Sequence, residues 1–379
     1  MSDEISTFPE VASLLGIKPL RVNASENKYP CPYCGKVDVQ ANDLFGKCWN
    51  CNDEGKFNYI SYYAAMTGLS TSDATREISQ KVGRSAGSFI KVEIKKEKDP
   101  LAPIEELDKT NRTLLSLLPL SNRHREDLKA RGLSDNDIKR LGYRTYDISY
   151  KSDREALAQT IINKGCSLKQ VPGFYNDPES GKPTFCWRKA GILVPYVNRH
   201  GFIQGFQQRK NNELLKPYWD GKKWKDENKY DWISSKDTPK SPKPNGTSSR
   251  TFTHYACDFY HDFNYGEDKP ILTDTILLTE GAMKADIIHA LSRIPCLAVP
   301  GVNCLEEFEA ELAFLKDEGV ETIISAFDMD YLNKKEVKKA CDKLEALIKN
   351  NGFNFKRATW NPEYKGYDDY LAAGQKPVL

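Results

Sequence analysis

The last third of the chain carries three short apolar runs, at positions 276–278, 296–299 and 322–327, each followed by a turn and then by a helical pattern. Short apolar runs that alternate with helical stretches are typical of βαβ units. The pattern predicts an α/β fold, with a Rossmann-like and mainly parallel sheet over residues 266–379. A helical pattern at 333–349 follows the third run.

The first part of the chain reads differently. Residues 1–88 begin with a short helical pattern and end with two more, at 59–66 and 72–82. The stretch 89–109 is rich in lysine, contains two prolines and has little periodicity, which predicts a linker. An edge strand over 89–94 is the alternative.

Residues 110–265 form a third segment, helical at first and then rich in strand signals. Two apolar stretches flank positions 198–201, whose sequence Asn-Arg-His-Gly favours a hairpin turn. We therefore expect a separate, strand-containing subdomain between the linker and the C-terminal sheet at 266–379.

Composition and charge narrow the picture. The chain has 379 residues and 39% hydrophobic content, and no run approaches the ~20 apolar residues of a membrane span. Its first residues lack the basic and apolar regions of a signal peptide, so we expect a cytoplasmic protein without a membrane partner. Residues 266–379 hold 20 acidic and 14 basic side chains, whereas the remainder holds 33 and 41. An acidic end on a basic body suits a protein that holds metal at one place and phosphate backbone at another.

Four of the ten cysteines form two Cys-x-x-Cys pairs, Cys31 with Cys34 and Cys48 with Cys51, separated by thirteen residues. Two such pairs in a chain without export signals favour a metal site over disulfides. Four thiolates complete a closed tetrahedral zinc site, which is structural because it leaves no position for water. The spacing predicts one Zn²⁺ per chain in a zinc ribbon.

Aromatic residues lie close to these cysteines, with Trp49 inside the second pair. Such rings can stack on unpaired bases while nearby lysines contact phosphates. Packing in the small core of the ribbon is the alternative for each of them. The candidates are Tyr33, Phe45, Trp49 and Phe57.

Carboxylates follow the predicted C-terminal strands. Because side chains that reach a ligand sit at the carboxyl ends of parallel strands, these acids are candidate ligands for Mg²⁺ or Mn²⁺. A helix N-terminus with an acidic first turn is the alternative for the Asp-x-Asp pair. The acids are Glu280, Asp328, Asp330, Asp368 and Asp369, with Asp369 as the alternative ligand to Asp368 and Glu280 as ligand or general base.

The order Glu-Gly, Asp-x-Asp and acidic turn resembles the Toprim domain of DnaG-type primases, over roughly residues 270–374. The stretch GKCWNCNDEGKF resembles the zinc-binding domain of primases, and GILVPYVNRHGFIQGFQQR followed by KYDWISS resembles the N-terminal subdomain of their polymerase core. The resemblance implies a zinc ribbon followed by a two-part primase core. It also implies that Arg209, Lys229 and Tyr230 line a groove beside the metals and hold template or nucleotide phosphates.

Two positions depart from the DnaG pattern. Gly191 stands where relatives have an arginine, for which Arg188 would have to substitute. Lys284 stands in the helix after Glu280-Gly281 where an acidic residue is usual, with Asp286 beyond it. This variant is closer to the Toprim-like domains of phage and plasmid replication proteins, and it leaves the number of metal ions open.

The resemblance implies a DNA primase, a template-directed enzyme that makes short RNA primers on single-stranded DNA from ribonucleoside triphosphates. The chain has no phosphate-binding loop of the G-x-x-x-x-G-K-[ST] type, so we expect the replicative helicase to be a separate partner. Two alternatives stay open. The acids could serve a Toprim-type metal-dependent nuclease, or the chain could be a single-strand DNA-binding accessory protein with an inactive site.

Overall fold

The computed structural model describes residues 7–23, 26–42, 45–51, 56–82, 99–186, 189–219, 224–238, 241–260, 269–301, 305–328 and 335–377. The chain divides into two units, Met1–Lys95 and Lys96–Leu379. The division falls inside the stretch 89–109 that the sequence predicts as a linker. Residues 83–98, and with them the alternative edge strand, lie outside the described ranges.

The first unit is an antiparallel sheet packed with three helices. Its strands neighbour one another in chain order. The helices match the three helical patterns of the sequence. The strands are β1 (Leu20–Asn23), β2 (Glu26–Pro30), β3 (Val37–Ala41), β4 (Phe45–Cys48) and β5 (Lys56–Asn58), and the helices are α1 (Phe8–Leu14), α2 (Tyr59–Thr67) and α3 (Thr71–Val82).

Aromatic rings form the centre of this unit. The ring of Phe8 lies 5.2 Å from that of Tyr29 and 4.7 Å from that of Tyr62, between centroids. A Cβ at Gly46 would lie 2.8 Å from Val39 and 2.9 Å from Phe8. Only glycine therefore lets β4 pass beneath this cluster.

The second unit begins with four helices and a mixed set of strands. Helices α4 (Ile104–Leu117), α5 (Asn122–Ala130) and α6 (Asp135–Leu141) precede the first strand, and α7 (Lys151–Asn163) follows it. The main sheet here is antiparallel, in the order β13-β10-β9-β6. The strands are β6 (Arg144–Tyr146), β7 (Phe174–Asn176), β8 (Pro183–Phe185), β9 (Gly191–Val197), β10 (Ile203–Lys210), β11 (Tyr218–Trp219), β12 (Trp224–Lys225) and β13 (Tyr230–Trp232).

The hairpin predicted around positions 198–201 joins β9 to β10. The Asn198 N–H donates to the Phe202 carbonyl at 3.0 Å, and the two strands pair antiparallel over their length.

The C-terminal part is a five-stranded sheet in the order β14-β18-β17-β19-β20. All pairs are parallel except β14 with β18. The prediction of an α/β chain with an N-terminal ribbon and a mainly parallel C-terminal sheet is confirmed. The strands are β14 (His254–Ala256), β15 (Phe259–Tyr260), β16 (Lys269–Pro270), β17 (Thr275–Glu280), β18 (Cys296–Val299), β19 (Thr322–Ser325) and β20 (Asn354–Arg357), and the helices are α8 (Ala282–Ser292), α9 (Leu305–Asp317), α10 (Lys335–Asn350) and α11 (Tyr367–Ala372).

Two parts of the second unit differ from the expected boundaries. Positions 104–109, expected in the linker, form the start of α4, where the fully buried Asp108 accepts a hydrogen bond from the Ile203 N–H at 2.7 Å. Strand β14, expected in the middle segment, is the edge strand of the C-terminal sheet. Both elements are held by long-range contacts, which local periodicity does not report.

The middle and C-terminal segments share one core. Buried residues of β9, such as Ile192 and Tyr196, pack in the same cluster as Met283 and Ile287 of α8. This packing fixes α8 against the antiparallel sheet. Within the described ranges, the structure contains no helix long and apolar enough to span a membrane.

Candidate metal centres and basic groove

The four cysteines of the ribbon converge, as their spacing predicts. Their sulfur atoms lie within 4.8 Å of one another, and the Cys31–Cys51 and Cys34–Cys48 pairs are each 3.7 Å apart. A tetrahedral site with Zn–S bonds of about 2.3 Å requires sulfur separations of about 3.8 Å. A hydrogen bond from the Lys36 backbone N–H lowers the pKa of Cys34 to about 7, whereas burial raises the pKa of Cys48 and the hydrogen bond with Cys34 raises that of Cys51 to about 12. The donor set and its size therefore fit Zn²⁺.

Trp49 lies beside this centre and exposes an indole ring on which a base could stack. Its ring is 59% exposed, its Nε1–H donates to Gln40 Oε1 at 2.7 Å, and Lys47 Nζ lies 4.2 Å from the ring centroid. These residues and Phe45 line a groove of about 740 Å³. Phe57, also considered for stacking, is buried and belongs to the core, whereas Tyr33 is exposed.

Two of the C-terminal acids that the structure describes, Glu280 and Asp328, lie at the carboxyl ends of neighbouring strands. Glu280 ends β17, and Asp328 follows β19, which pairs with β17. Asp368 lies in the first turn of α11. A Cβ at Gly366 would overlap Asp368 Oδ1 and lie 3.2 Å from Asp328 Oδ1, so both carboxylates crowd the same point. Asp330 lies outside the described residues.

Asp368 and Asp369 have different surroundings. Asp369 Oδ2 accepts a hydrogen bond from the Gly366 N–H at 3.4 Å, as an N-terminal capping carboxylate does. Asp368 is 4% exposed, and burial raises its pKa. Within the described part of the chain, its Oδ1 is buried without a hydrogen-bond partner. When this carboxylate is ionised, its buried oxygen needs a cation as partner.

Lys284 supplies one cation to this site. Its Nζ forms an ion pair with Asp328 Oδ1, and its side chain is 31% exposed. Burial alone would lower the pKa of Lys284, but the carboxylates of Asp328, Asp368 and Glu280 outweigh it and raise the pKa. The second lysine near Asp328 is Lys365, whose Nζ lies 3.9 Å from Oδ2 and whose side chain is 76% exposed.

The oxygen donors at Asp328 and Asp368 fit Mg²⁺ or Mn²⁺, which prefer carboxylate ligands. The fit is looser than at the ribbon. Among the residues that the structure describes, the four cysteines are the one group of three or more potential ligands that converges within 4.8 Å.

Asp286 belongs to a different environment. It is 2% exposed and accepts hydrogen bonds from Tyr143 Oη at 2.5 Å and from His254 Nε2 at 3.0 Å. His254 Nδ1 accepts the Val197 N–H at 3.0 Å, which places the proton of a neutral ring on Nε2. Asp286 therefore ties α8 to the antiparallel sheet and does not replace the acid missing at Lys284.

A cluster of basic residues lies beside the acids. Arg209 pairs in register with Tyr230 across β10 and β13, and its Nη1 donates to Asp127 Oδ2 at 2.8 Å. Burial, and then the charges of Arg209 and Arg131, lower the pKa of Lys229. The sequence thus named three residues, Arg209, Lys229 and Tyr230, that the structure brings together.

Tyr230 connects this basic cluster to the acids. Its hydroxyl donates to Met283 Sδ at 3.6 Å, one position before Lys284. Arg131 and Asp127 line a cavity of about 420 Å³ together with Asp368 and Asp369. Arg131 therefore shares one cavity with the two acids, and Arg209 is joined to that cavity through Asp127.

The structure accounts for Gly191, which stands where DnaG-type primases have an arginine. A Cβ at Gly191 would overlap the Arg209 carbonyl oxygen, so no side chain fits there. Arg188, the expected substitute, lies outside the described residues.

Sequence reasoning missed two features. Arg131 follows α5 as one of several charged residues, and only packing brings it to Asp368. The hairpin of β11 and β12 exposes Tyr218, Trp219 and Trp224, with the indoles in edge contact at 6.0 Å. The sequence YWDGKKWK, with aromatic residues on both sides of a turn and lysines between them, could have indicated this hairpin.

Comparison with known proteins gives partial matches. A family model described as "Domain of unknown function (DUF3854)" matches residues 271–377. No curated protein sequence matches the chain.

The chain is similar in structure to zinc-binding and RNA polymerase domains of DnaG-type primases. Against those domains of the Aquifex aeolicus primase the TM-score is 0.47 at 13% identity, over 98% of this chain and 83% of the other. Against the RNA polymerase domain of Mycobacterium tuberculosis DnaG, solved with double-stranded DNA, the TM-score is 0.48 at 17% identity, over 71% of this chain and 78% of the other. Against a DNA primase domain from Pseudomonas aeruginosa the TM-score is 0.45 at 16% identity, over 71% of this chain and 75% of the other.

Proposed function

We propose that this chain is a DNA primase that joins ribonucleotides on a single-stranded DNA template. The observation that carries the proposal is a cavity lined by Asp368, Asp369 and Arg131. Asp328, paired with Lys284, lies next to Asp368, and Asp127 of the same cavity holds Arg209. Metal-dependent nucleotidyl transfer requires carboxylates that hold a cation next to basic groups that hold phosphates. A zinc ribbon in the same chain adds a surface for unpaired bases.

The acids Glu280, Asp328, Asp330 and Asp368 would hold Mg²⁺ or Mn²⁺, which lowers the pKa of an attacking hydroxyl and neutralises the leaving pyrophosphate. The protein's own groups do the positioning. Arg209 and Arg131, which both pair with Asp127 here, would offer guanidinium groups for bidentate phosphate contacts, and Lys229 would add a point charge.

Template binding would use both units. Trp49 on the ribbon and the indoles of Trp219 and Trp224 are exposed rings of the kind on which successive bases stack. A replicative helicase would be a separate partner of this protein. The protein would act in the cytoplasm.

The test is primer synthesis on single-stranded DNA with labelled ribonucleoside triphosphates and Mg²⁺ or Mn²⁺. We expect short oligoribonucleotides from wild-type protein and a loss of at least about a hundredfold in Asp328→Asn, since a ligand lost from the metal site removes transition-state stabilisation. Asp317→Asn, an exposed acid of α9, is the matched control and should retain activity.

Two outcomes would replace the proposal. Metal-dependent cutting of DNA without any oligoribonucleotide would identify a nuclease built on the same acids. Binding of single-stranded DNA with neither synthesis nor cutting would identify an accessory protein. In either case the Asp328→Asn variant should still bind DNA, because this residue holds cations and not the template.

A further inference from the structure

The acid site already contains a fixed positive charge. Lys284 lies on α8 one turn after Glu280, which ends β17, and its Nζ contacts Asp328 Oδ1. The packing of Met283 and Ile287 against β9 holds α8 in place, so the direction of this side chain is set by the core. The ammonium is therefore a built part of the site.

The Asp368 carboxylate shows where cation charge is still lacking. Its Oδ1 is buried without a hydrogen-bond partner among the described residues, next to the Asp328 oxygen that Lys284 engages. Lys284 is engaged with Asp328, so its ammonium leaves the buried Asp368 Oδ1 without a cation. One divalent ion at this oxygen would supply the missing charge.

We propose that Lys284 is a resident cation of this site, so that the site takes one divalent metal ion at Asp368 and Asp328 in place of two. The inference deepens the proposed function, because it concerns the same acids. A second ion placed near Asp328 would have to approach an ammonium in a half-buried setting, where like charges repel strongly. Lys284 instead provides the positive charge that a second metal ion would bring, and it is part of the chain and does not have to bind from solution.

The experiment is Mn²⁺ binding to the full zinc-loaded chain, measured by electron paramagnetic resonance of free Mn²⁺ and by titration calorimetry. We expect one Mn²⁺ per wild-type chain. Lys284→Gln should bind a second ion, or bind the first at least about tenfold more tightly, because removal of a neighbouring positive charge relieves repulsion.

Two variants control for fold and for charge. Lys284→Arg keeps the charge and should bind one ion with affinity close to wild type. Lys365→Gln removes a lysine that is 3.9 Å from Asp328 but 76% exposed, and it should change the affinity less than about threefold because solvent screens that charge. Zinc content and circular dichroism establish that each variant is folded.

Several outcomes would overturn the inference. Two Mn²⁺ ions on wild-type protein would do so, as would unchanged binding in a folded Lys284→Gln variant or equal gains in the Gln and Arg variants. If Lys284→Gln does not fold, the wild-type stoichiometry and the Arg variant still decide.

The same data separate the inference from the proposed function. A protein that makes no primers but shows this binding pattern would refute the primase proposal alone. A protein that makes primers with two ions per wild-type chain would refute the inference alone.

Discussion

Removal of one hydroxyl group at Tyr143 should destabilise the second unit without affecting its metal site. Tyr143 is fully buried and donates from Oη to Asp286 Oδ2 at 2.5 Å. Burial, followed by the Asp286 charge, raises the pKa of Tyr143 well above its usual value, so the phenol is a neutral donor at any working pH. Tyr143→Phe deletes this donor and preserves the ring.

The expected loss follows from the partners that remain. A hydrogen bond to a charged group contributes about 1.5–3 kcal/mol to the free energy of unfolding. Asp286 keeps the hydrogen bond from His254 Nε2 at 3.0 Å, so its carboxylate still has one hydrogen-bond donor in the variant. We therefore expect Tyr143→Phe to lower the free energy of unfolding by about 2 kcal/mol.

The assay is urea unfolding of the full chain followed by tryptophan fluorescence. Five of the six tryptophans come after residue 95, so the signal reports mainly on the second unit. The denaturant slope should stay constant, which shows that stability has changed and not compactness. Tyr150→Phe is the matched control, since Tyr150 is 73% exposed and loss of its hydroxyl should cost less than about 0.5 kcal/mol.

A double-mutant cycle gives the sharper version of this test. Because Tyr143 and Asp286 share one hydrogen bond, the combined Tyr143→Phe and Asp286→Asn variant should lose less than the two single losses together. Mn²⁺ binding should be unchanged in Asp286→Asn. A Tyr143→Phe variant as stable as the Tyr150 control, or a loss of Mn²⁺ binding on changing Asp286, would refute the structural role argued for this network.

Three further predictions concern the ribbon and the groove. Cys48→Ser should lose its Zn²⁺ in elemental analysis together with the folded state of the first unit, because a structural zinc site supplies much of the folding free energy of a small domain; folded, metal-free protein would contradict this. Arg209→Ala should reduce primer yield at least about tenfold, since a charge-assisted phosphate contact is lost; yield equal to wild type would remove Arg209 from the groove. Trp219→Ala with Trp224→Ala should weaken single-stranded DNA binding about tenfold in fluorescence anisotropy, against no change for Tyr150→Ala, because each stacked base contributes about 1–3 kcal/mol.

The ribbon cysteines and the order of elements follow from the sequence because both depend on short-range spacing. Each Cys-x-x-Cys turn brings two thiolates together locally, and the pairing of β3 with β4 brings the two turns to one point. Apolar runs at 296–299 and 322–327 correspond to β18 and β19, since buried parallel strands are continuous in hydrophobicity. The hairpin between β9 and β10 is set in the same local way.

The tertiary structure decided which charged groups meet. Lys284 and Asp286 are two positions apart on α8, yet the helical turn directs Lys284 to Asp328 and Asp286 to Tyr143 and His254. Arg131, at the end of α5, lines the same cavity as Asp368 and Asp369 of α11 only because the fold brings these two helices to that cavity. These partners come from elements far apart in the chain, and their meeting depends on helix rotation and strand register. Local sequence thus determined the elements and the zinc ligands, whereas the charge balance of the candidate site was set by packing.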